Sequence, residues 1–453
     1  MNSTPVVSQA PDESLVLEPE GTFSLSNSAE GLAAEFHPRE AAFGSDSVYS
    51  AYVKVMTGVL AAGLLVVMLL NVIVDPYEFF GSPEVRGINK YNSDVNVGGQ
   101  RRTKSLQMKA HDYTIVIGGS SRVMRTIDPD SEVFEGRPAY NAGIFGTNMV
   151  ELEKVLDEAL RRDDLEQIYL GLDFLMFSTG RGYSGDMLSS GFAGVPKWKI
   201  LLESTVSADA LAASIDTLEI NRKSPDQGAY LSEDGFVIDE RESKPALPYR
   251  REKFDAMLSK NFMIDPETYA AFQYDPNRMR MLKSILMKCQ EKGVGVTLFL
   301  PPVHARQLET IDVMGLWPVF EFWKKDLVEV VASGELAEAQ VSLYDFTGYD
   351  IYTTEPIPPY KSPEDMVYWS ESSHAREALG ELVLQRLTGH GASDLPEDFG
   401  VLLTAENIAS HLETVRRERE VNIAENPDER RAVLRLYHQT APERFRNRLG
   451  SGG

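Results

Sequence analysis

The amino-acid sequence predicts an α/β domain, a parallel sheet covered by helices on both faces, carried behind one N-terminal transmembrane helix. Three observations predict it. Between Tyr113 and Leu387, short apolar runs of strand length alternate with amphipathic helical stretches, the pattern of parallel strands joined by crossover helices. One uncharged run, Val55–Val74, has the length of a bilayer's hydrocarbon core. The composition of the 453 residues, 43% apolar and 25% charged, is that of a folded globular chain and excludes a collagenous, coiled-coil or wholly disordered protein. The chain has 45 Lys and Arg against 68 Asp and Glu, a formal net charge of −23, so phosphate backbones are repelled and nucleic acid is excluded as a general partner. A single cysteine, Cys289, excludes an internal disulfide framework and any thiolate metal cluster.

Residues 1–50 are rich in Ser, Pro, Glu and Ala, with Arg39 as their only Lys or Arg. So little apolar surface cannot offset the entropy of ordering, which predicts a disordered acidic tail. The anchor occupies 51–75. About 20 residues at ~1.5 Å rise span ~30 Å; Lys54 and Asp75 bracket the run, and Tyr52 and Tyr77 suit the headgroup layers. A buried core helix is the competing reading, but such helices are usually shorter or polar on one face. A cleaved signal peptide fits poorly, because the leader is long and no small-x-small site follows the run. Arg39 and Lys54 before the run balance Arg86 and Lys90 after it, so charge selects neither side of the membrane.

A polar linker, 76–112, leads into the α/β domain, 113–390. Tyr113–Gly119, Pro138–Ile144 and Gln167–Phe177 read as buried strands. A helix from Asn148 to about Arg162 carries Val150, Leu152, Val155, Leu156 and Leu160 on its apolar side. The Gly/Ser/Pro-punctuated stretch 178–275 reads as an insertion with a helix around Ala208–Ile220. A helix over Asn277–Lys292, with Gly293 as its C-cap, feeds the strand Val294–Pro302. Another helix, Trp317–Ala332, feeds Val341–Phe346, and a last core helix runs from about Ala375 to Leu387. The remainder, 391–453, reads as a charged helical extension.

In open α/β sheets the active site lies beyond the carboxyl ends of the strands. There the sequence places Gly118-Gly119-Ser120-Ser121-Arg122, then Gly143-Ile144-Phe145-Gly146-Thr147-Asn148, Gly171-Leu172-Asp173, Pro301-Pro302-Val303-His304 and Ser370-Glu371-Ser372-Ser373-His374. Taken singly, these motifs have ordinary alternatives. Ser120 and Ser121 suit a helix cap as well as a nucleophile, His304 suits a packed loop as well as a pocket, and Asp345 competes with Glu371 as the partner of His374. His37, His111, His390, His411 and His438 show no ligand spacing, so neither a metal nor a cofactor is expected.

Taken in order, the motifs resemble those of the SGNH (GDSL-like) hydrolases over roughly Tyr113–Leu387. The resemblance implies a flavodoxin-like three-layer sandwich. It puts Ser121 at the nucleophile, His374 at the catalytic base with Glu371 as its acid, and Gly146 in the oxyanion hole. A serine hydroxyl attacks only once a base takes its proton, and the tetrahedral oxyanion needs N–H donors, here the amides of Ser121 and Gly146. Two departures stand out. Glu371 replaces the family's aspartate, and Asp173 stands where the family has an oxyanion asparagine. An ionised carboxylate there would repel the developing anion, so Asp173 is expected to pair with Arg122, leaving Asn148 or Asn141 as substitute donors. Ser120, Arg122, Asp173 and His304 are the expected substrate-side residues.

With its anchor, and with Asp75-Pro76-Tyr77 and Leu300-Pro301-Pro302-Val303-His304, the chain is similar to bacterial accessory proteins of envelope O-acylation. These include the alginate-acetylation proteins and the D-alanylation protein of lipoteichoic acid. The resemblance implies a domain outside the cytoplasmic membrane, an MBOAT-class acyltransferase as partner besides the lipid bilayer, and an envelope polysaccharide as acyl acceptor or donor. Two expectations follow: an acyltransferase or esterase using Ser121, or a catalytically inactive domain that binds polysaccharide or scaffolds the acyltransferase.

Overall fold

A computed structural model of the chain describes residues 46–92, 99–241 and 250–450. The expected acidic tail therefore lies, up to residue 45, outside the described residues. The helix Asp46–Val74 contains the uncharged run and is long and apolar enough to cross a membrane. Along it Leu60 and Val66 are 67% and 65% exposed, an apolar surface suited to lipid and not to water. The helix ends at Asp75, which takes φ 48, and the Asp75 carboxylate accepts the backbone N–H groups of Phe79 and Phe80 at 2.8 and 2.9 Å. The linker expected over 76–112 is not all linker, because Gln100–Ala110 is a helix. It carries no apolar stripe and is buried through charge instead. Arg101 pairs with Glu151 at 2.6 Å, and the Lys104 ammonium donates to the carbonyls of Asn141 and Gly235, both at 2.6 Å.

Among the described residues eight strands follow in chain order: β1 (Ile115–Gly118), β2 (Ala139–Asn141), β3 (Gln167–Gly171), β4 (Ala229–Leu231), β5 (Val237–Asp239), β6 (Gly295–Leu300), β7 (Val341–Asp345) and β8 (Val401–Leu402). β4 and β5 pair as an antiparallel hairpin, and the other six form one sheet in the order β2-β1-β3-β6-β7-β8. All its pairings are parallel except the last. The parallel sheet expected from sequence is present, with one antiparallel edge added where β8 of the C-terminal extension pairs with β7. Alternate residues point to opposite faces. Val116, Ile168 and Val296 enter one apolar cluster with the helices Met149–Ala159, Pro276–Lys292 and Trp317–Val331. Ile115, Ile117, Tyr169 and Phe299 enter another with the helix Glu377–Thr388.

Two further boundaries differ from expectation. The third strand ends at Gly171, not Phe177, because Phe174–Phe177 forms a 3-10 turn that stacks Phe174 on Phe272 at 4.1 Å. An unforeseen helix, Ala305–Val313, starts directly at His304. The insertion contains the helices Lys197–Val206 and Ala208–Lys223, the β4–β5 hairpin, and a helix Arg250–Ala256 that runs on as a π-helical stretch, Met257–Ile264. The extension forms the helices Ile408–Glu425, Pro427–Gln439 and Ala441–Gly450. It is docked by Arg419 on Glu309 at 2.8 Å and by Arg430 on Asp312 at 2.7 Å.

Candidate active site

β1 delivers its last residues into a turn that only glycine can make. Gly119 sits at φ +153, and a Cβ there would come within 2.4 Å of Val123 Cγ2. Ser120 then caps the helix Ser121–Thr126, its hydroxyl accepting the Arg122 N–H at 3.1 Å. The cap falls to Ser120, and Ser121 is left free as the first helical residue. Its hydroxyl donates to His374 Nε2 at 2.8 Å. The other ring nitrogen, Nδ1, donates to the Glu371 carboxylate. Glu371 is buried and also accepts the Ser373 N–H at 2.8 Å. Burial alone would raise its carboxyl, but the His374 imidazole and the Ser373 amide hold it below the usual carboxylate range. A hydroxyl, an imidazole and a buried carboxylate therefore stand in line, an arrangement chemically able to serve as nucleophile, base and acid.

Ser121 and His374 open into a cavity of about 210 Å³, whose walls include Gly146, Asp173 and Arg181. Among the described residues, no protein acceptor takes the backbone N–H of Ser121 or of Gly146, so both are available to an oxyanion. Gly146 lies at φ +62, and its carbonyl accepts Arg181 Nη2 at 2.7 Å, which fixes the peptide. Asp173 and Arg122 form a buried ion pair. The Arg122 Nε also donates to the Ser373 carbonyl at 3.2 Å, tying the pair to the loop that holds His374. Burial would weaken the Arg122 guanidinium as a cation, but Asp173 beside it keeps it charged.

Ser120, Ser121, Arg122, Gly146, Asp173 and His374 meet at this cavity, with Glu371 behind the imidazole. Two expected residues do not. Asn148 caps the helix Met149–Ala159, its Oδ1 accepting the Val150 N–H at 2.9 Å, and its Nδ2 donates to the Gly182 carbonyl at 2.8 Å; it does not line the cavity. Its side chain is thus engaged as a helix cap and lies away from the cavity where an oxyanion donor was expected. Asn141, the other substitute, spends its Nδ2 on the carbonyls of Val123 and Ile127 at 3.1 and 2.7 Å. His304 does not line this cavity either; it is buried, on the wall of a separate, smaller cavity that it shares with Arg306 and Glu309. It caps the helix Ala305–Val313 by accepting the Arg306 N–H at 3.2 Å, and its Nε2 donates to the Glu355 carbonyl at 2.9 Å. Phe254 and Trp369 meet its ring edge-on, and burial pushes its pKa down to about 3.

Asp345, the rival acid, is engaged elsewhere, by Lys324 at 2.7 Å and His411 at 2.9 Å. Sequence reasoning missed the opposite wall of the cavity, which Arg181, Met257, Asn261 and Phe262 supply from the insertion. A π-helical stretch such as Met257–Ile264 is often found at functional sites, but no sequence period announces one. Apart from the cavity, Asp128, Asp130 and Asp234 bring one carboxylate oxygen each within 4.8 Å of one another. No protein-family model matches the chain, and no curated protein matches it significantly.

Proposed function

We propose that this chain is a membrane-anchored serine acyltransferase or esterase of the SGNH-like type. Its substrate is a cell-envelope glycan or that glycan's acyl carrier, and its main domain lies on the periplasmic or extracellular side of the cytoplasmic membrane, beside an MBOAT-class acyltransferase. The observation that carries the chemistry is the Ser121 hydroxyl 2.8 Å from His374 Nε2, with Glu371 on the far ring nitrogen. The strand order β2-β1-β3-β6-β7 is the flavodoxin-like one, which supports the SGNH-like reading. The glycan and the acyltransferase rest on the motif resemblance.

In the reaction, Ser121 Oγ attacks the acyl carbonyl as its proton passes to His374 Nε2, and the imidazolium is stabilised by Glu371. The oxyanion receives the Ser121 and Gly146 N–H groups. The leaving alcohol takes the proton from His374 and departs, leaving acyl-Ser121. A glycan hydroxyl or water, deprotonated by His374, then releases the acyl group. The inactive-scaffold reading is favoured by Asp173 in the oxyanion asparagine's place. Pairing with Arg122 answers the charge objection and leaves the two backbone donors in charge of the anion. An activated fluorophosphonate applied to the full-length protein in membranes discriminates the two. It should label wild type and not Ser121→Ala. A folded wild type that takes no label establishes the scaffold. An alkaline phosphatase fusion at Leu387, active only after export, tests the topology.

A further inference from the structure

The helix Asp46–Val74 carries one polar side chain in its last turn, Asn71, and that side chain is fully buried. Its Oδ1 accepts the Ser214 hydroxyl at 2.8 Å, and its Nδ2 donates to the Thr205 carbonyl at 2.9 Å. Both partners belong to the helical pair Lys197–Val206 and Ala208–Lys223, which meets at Ser207. Below it, Tyr77 packs on Ala210 and Ala213. The pair is thus fastened to the end of the apolar helix at the depth of residue 71, not out beyond the linker.

That depth decides what surrounds the pair. If Val55–Val74 fills the hydrocarbon core, Asn71 lies one turn inside its boundary, and whatever is bonded to Asn71 lies at the boundary too. The outward side chains agree. Trp198 and Leu202, one turn apart on the same face, are 67% and 50% exposed, and Ile215, next to Ser214, is 52% exposed. Lys197 and Lys199 flank Trp198. An exposed Trp with apolar neighbours and flanking lysines is costly against water. It suits the zone where an indole meets headgroups and lysine stems reach outward. Lys199 pairs with Glu203 at 3.8 Å, which leaves Lys197 as the cation beside Trp198 for lipid phosphates.

The geometry points to the pair Lys197–Val206 and Ala208–Lys223 as an interfacial foot that enters the headgroup–acyl boundary of the bilayer crossed by the anchor, with Trp198 and Leu202 as its apolar contacts. The foot would restrain the domain on its stalk. The inference rests on the proposed anchor and is independent of the catalytic reading.

The test uses full-length protein reconstituted into phosphatidylethanolamine–phosphatidylglycerol vesicles, with and without phosphatidylcholine brominated high on its acyl chains. Trp198 emission is taken as the difference between wild type and Trp198→Phe. It should be blue-shifted, shielded from acrylamide, and should lose most of its intensity to the brominated lipid. Trp198→Phe/Leu202→Trp should be quenched in the same way. Protein that floats with the vesicles while Trp198 stays open to acrylamide and blind to bromine overturns the foot and leaves the anchor standing, with the face directed to water or to a protein partner. Protein that fails to float overturns both.

Discussion

His374 and His411 each hold a carboxylate that is almost completely buried, Glu371 and Asp345, yet the two pairs are surrounded in opposite ways. Beyond His374 lies a serine hydroxyl on the wall of a cavity, and the Glu371 carboxylate has backbone and hydroxyl donors behind it. Beside His411 the Asp345 carboxylate also meets the Lys324 ammonium, whose side chain is as buried as its own, and Thr347 closes the far oxygen. His411 belongs to the C-terminal extension, so this second pair fastens the helix Ile408–Glu425 to the end of β7. A buried His–carboxylate pair is therefore not in itself a catalytic device. What separates the two is whether the second ring nitrogen faces a nucleophile with room beyond it, or the carboxylate is already saturated by a fixed cation.

The sharpest way to break this distinction is to remove the proposed nucleophile and base. Ser121→Ala and His374→Ala should each lower acyl transfer or probe labelling by at least ~10³-fold, and the double variant should be no worse than either, because groups acting as a unit fail together. Near-wild-type unfolding curves for all three would place the loss in chemistry and not in folding. Ser121→Ala at wild-type activity would make the two His–carboxylate pairs equivalent and both structural.

Exchanging the acids comes next. Glu371→Gln removes the charge that stabilises the imidazolium and should slow the reaction by roughly 10²–10⁴-fold with modest loss of stability. Glu371→Asp keeps the charge and should retain more activity. Asp345→Asn should do the reverse. Leaving Lys324 buried without its carboxylate is expected to cost about 3–5 kcal/mol, read by chemical denaturation, while the rate per folded molecule stays near wild type. Should Asp345→Asn slow the chemistry while Glu371→Gln leaves it intact, the acid of the triad would be Asp345.

His304 offers a third contrast, a histidine whose hydrogen bonds go to backbone groups and not to a carboxylate. Burial holds its folded pKa down at about 3, against about 6.5 in the unfolded chain. Between those values the unfolded state binds a proton that the folded state refuses, so the neutral ring's contribution to stability is present above pH 6.5 and lost as pH falls. The loss approaches about 1.4 kcal/mol per pH unit, or about 2 kcal/mol between pH 7 and pH 5. His304→Asn, which preserves a helix cap, should flatten the pH dependence of unfolding by that amount. Equal slopes for wild type and variant would mean that His304 is not sealed from protons.

The sequence made the Ser121–His374–Glu371 cluster legible because its members fall at the junctions of a β/α alternation, one at a strand end and two just before a helix. Ser121 follows β1, and His374 precedes the helix Glu377–Thr388. Whether Glu371 or Asp345 served His374 was not legible, since it depends on which carboxylate meets a cation 21 residues away in the chain, as Asp345 meets Lys324. The helix Gln100–Ala110 escaped because its buried residues are Gln100, Arg101, Thr103, Lys104, Ser105 and Met108, and a single apolar residue among them sets no period. The cavity wall escaped for a related reason. Arg181 and Asn261 are polar residues of an insertion, and only tertiary packing brings them to Ser121.

Asn148 gives the smallest effect and the finest discrimination, because its sequence position suited two roles that the folded chain separates. As the N-cap of Met149–Ala159 its oxygen serves two backbone N–H groups, those of Val150 and Glu151. Asn148→Ala should therefore lose about 1 kcal/mol of stability, the usual worth of such a cap, and leave the acylation rate within about twofold. Asn148→Asp keeps the accepting oxygen at a helix N-terminus, where negative charge is favoured, and should recover most of that stability although it has lost the donor to Gly182. An oxyanion donor would behave the other way, with both substitutions slowing acylation by ~10²–10³-fold whatever their effect on unfolding. Measuring rate and unfolding on the same two variants thus decides whether the oxyanion is held by backbone alone, at Ser121 and Gly146, or needs a side-chain amide as well.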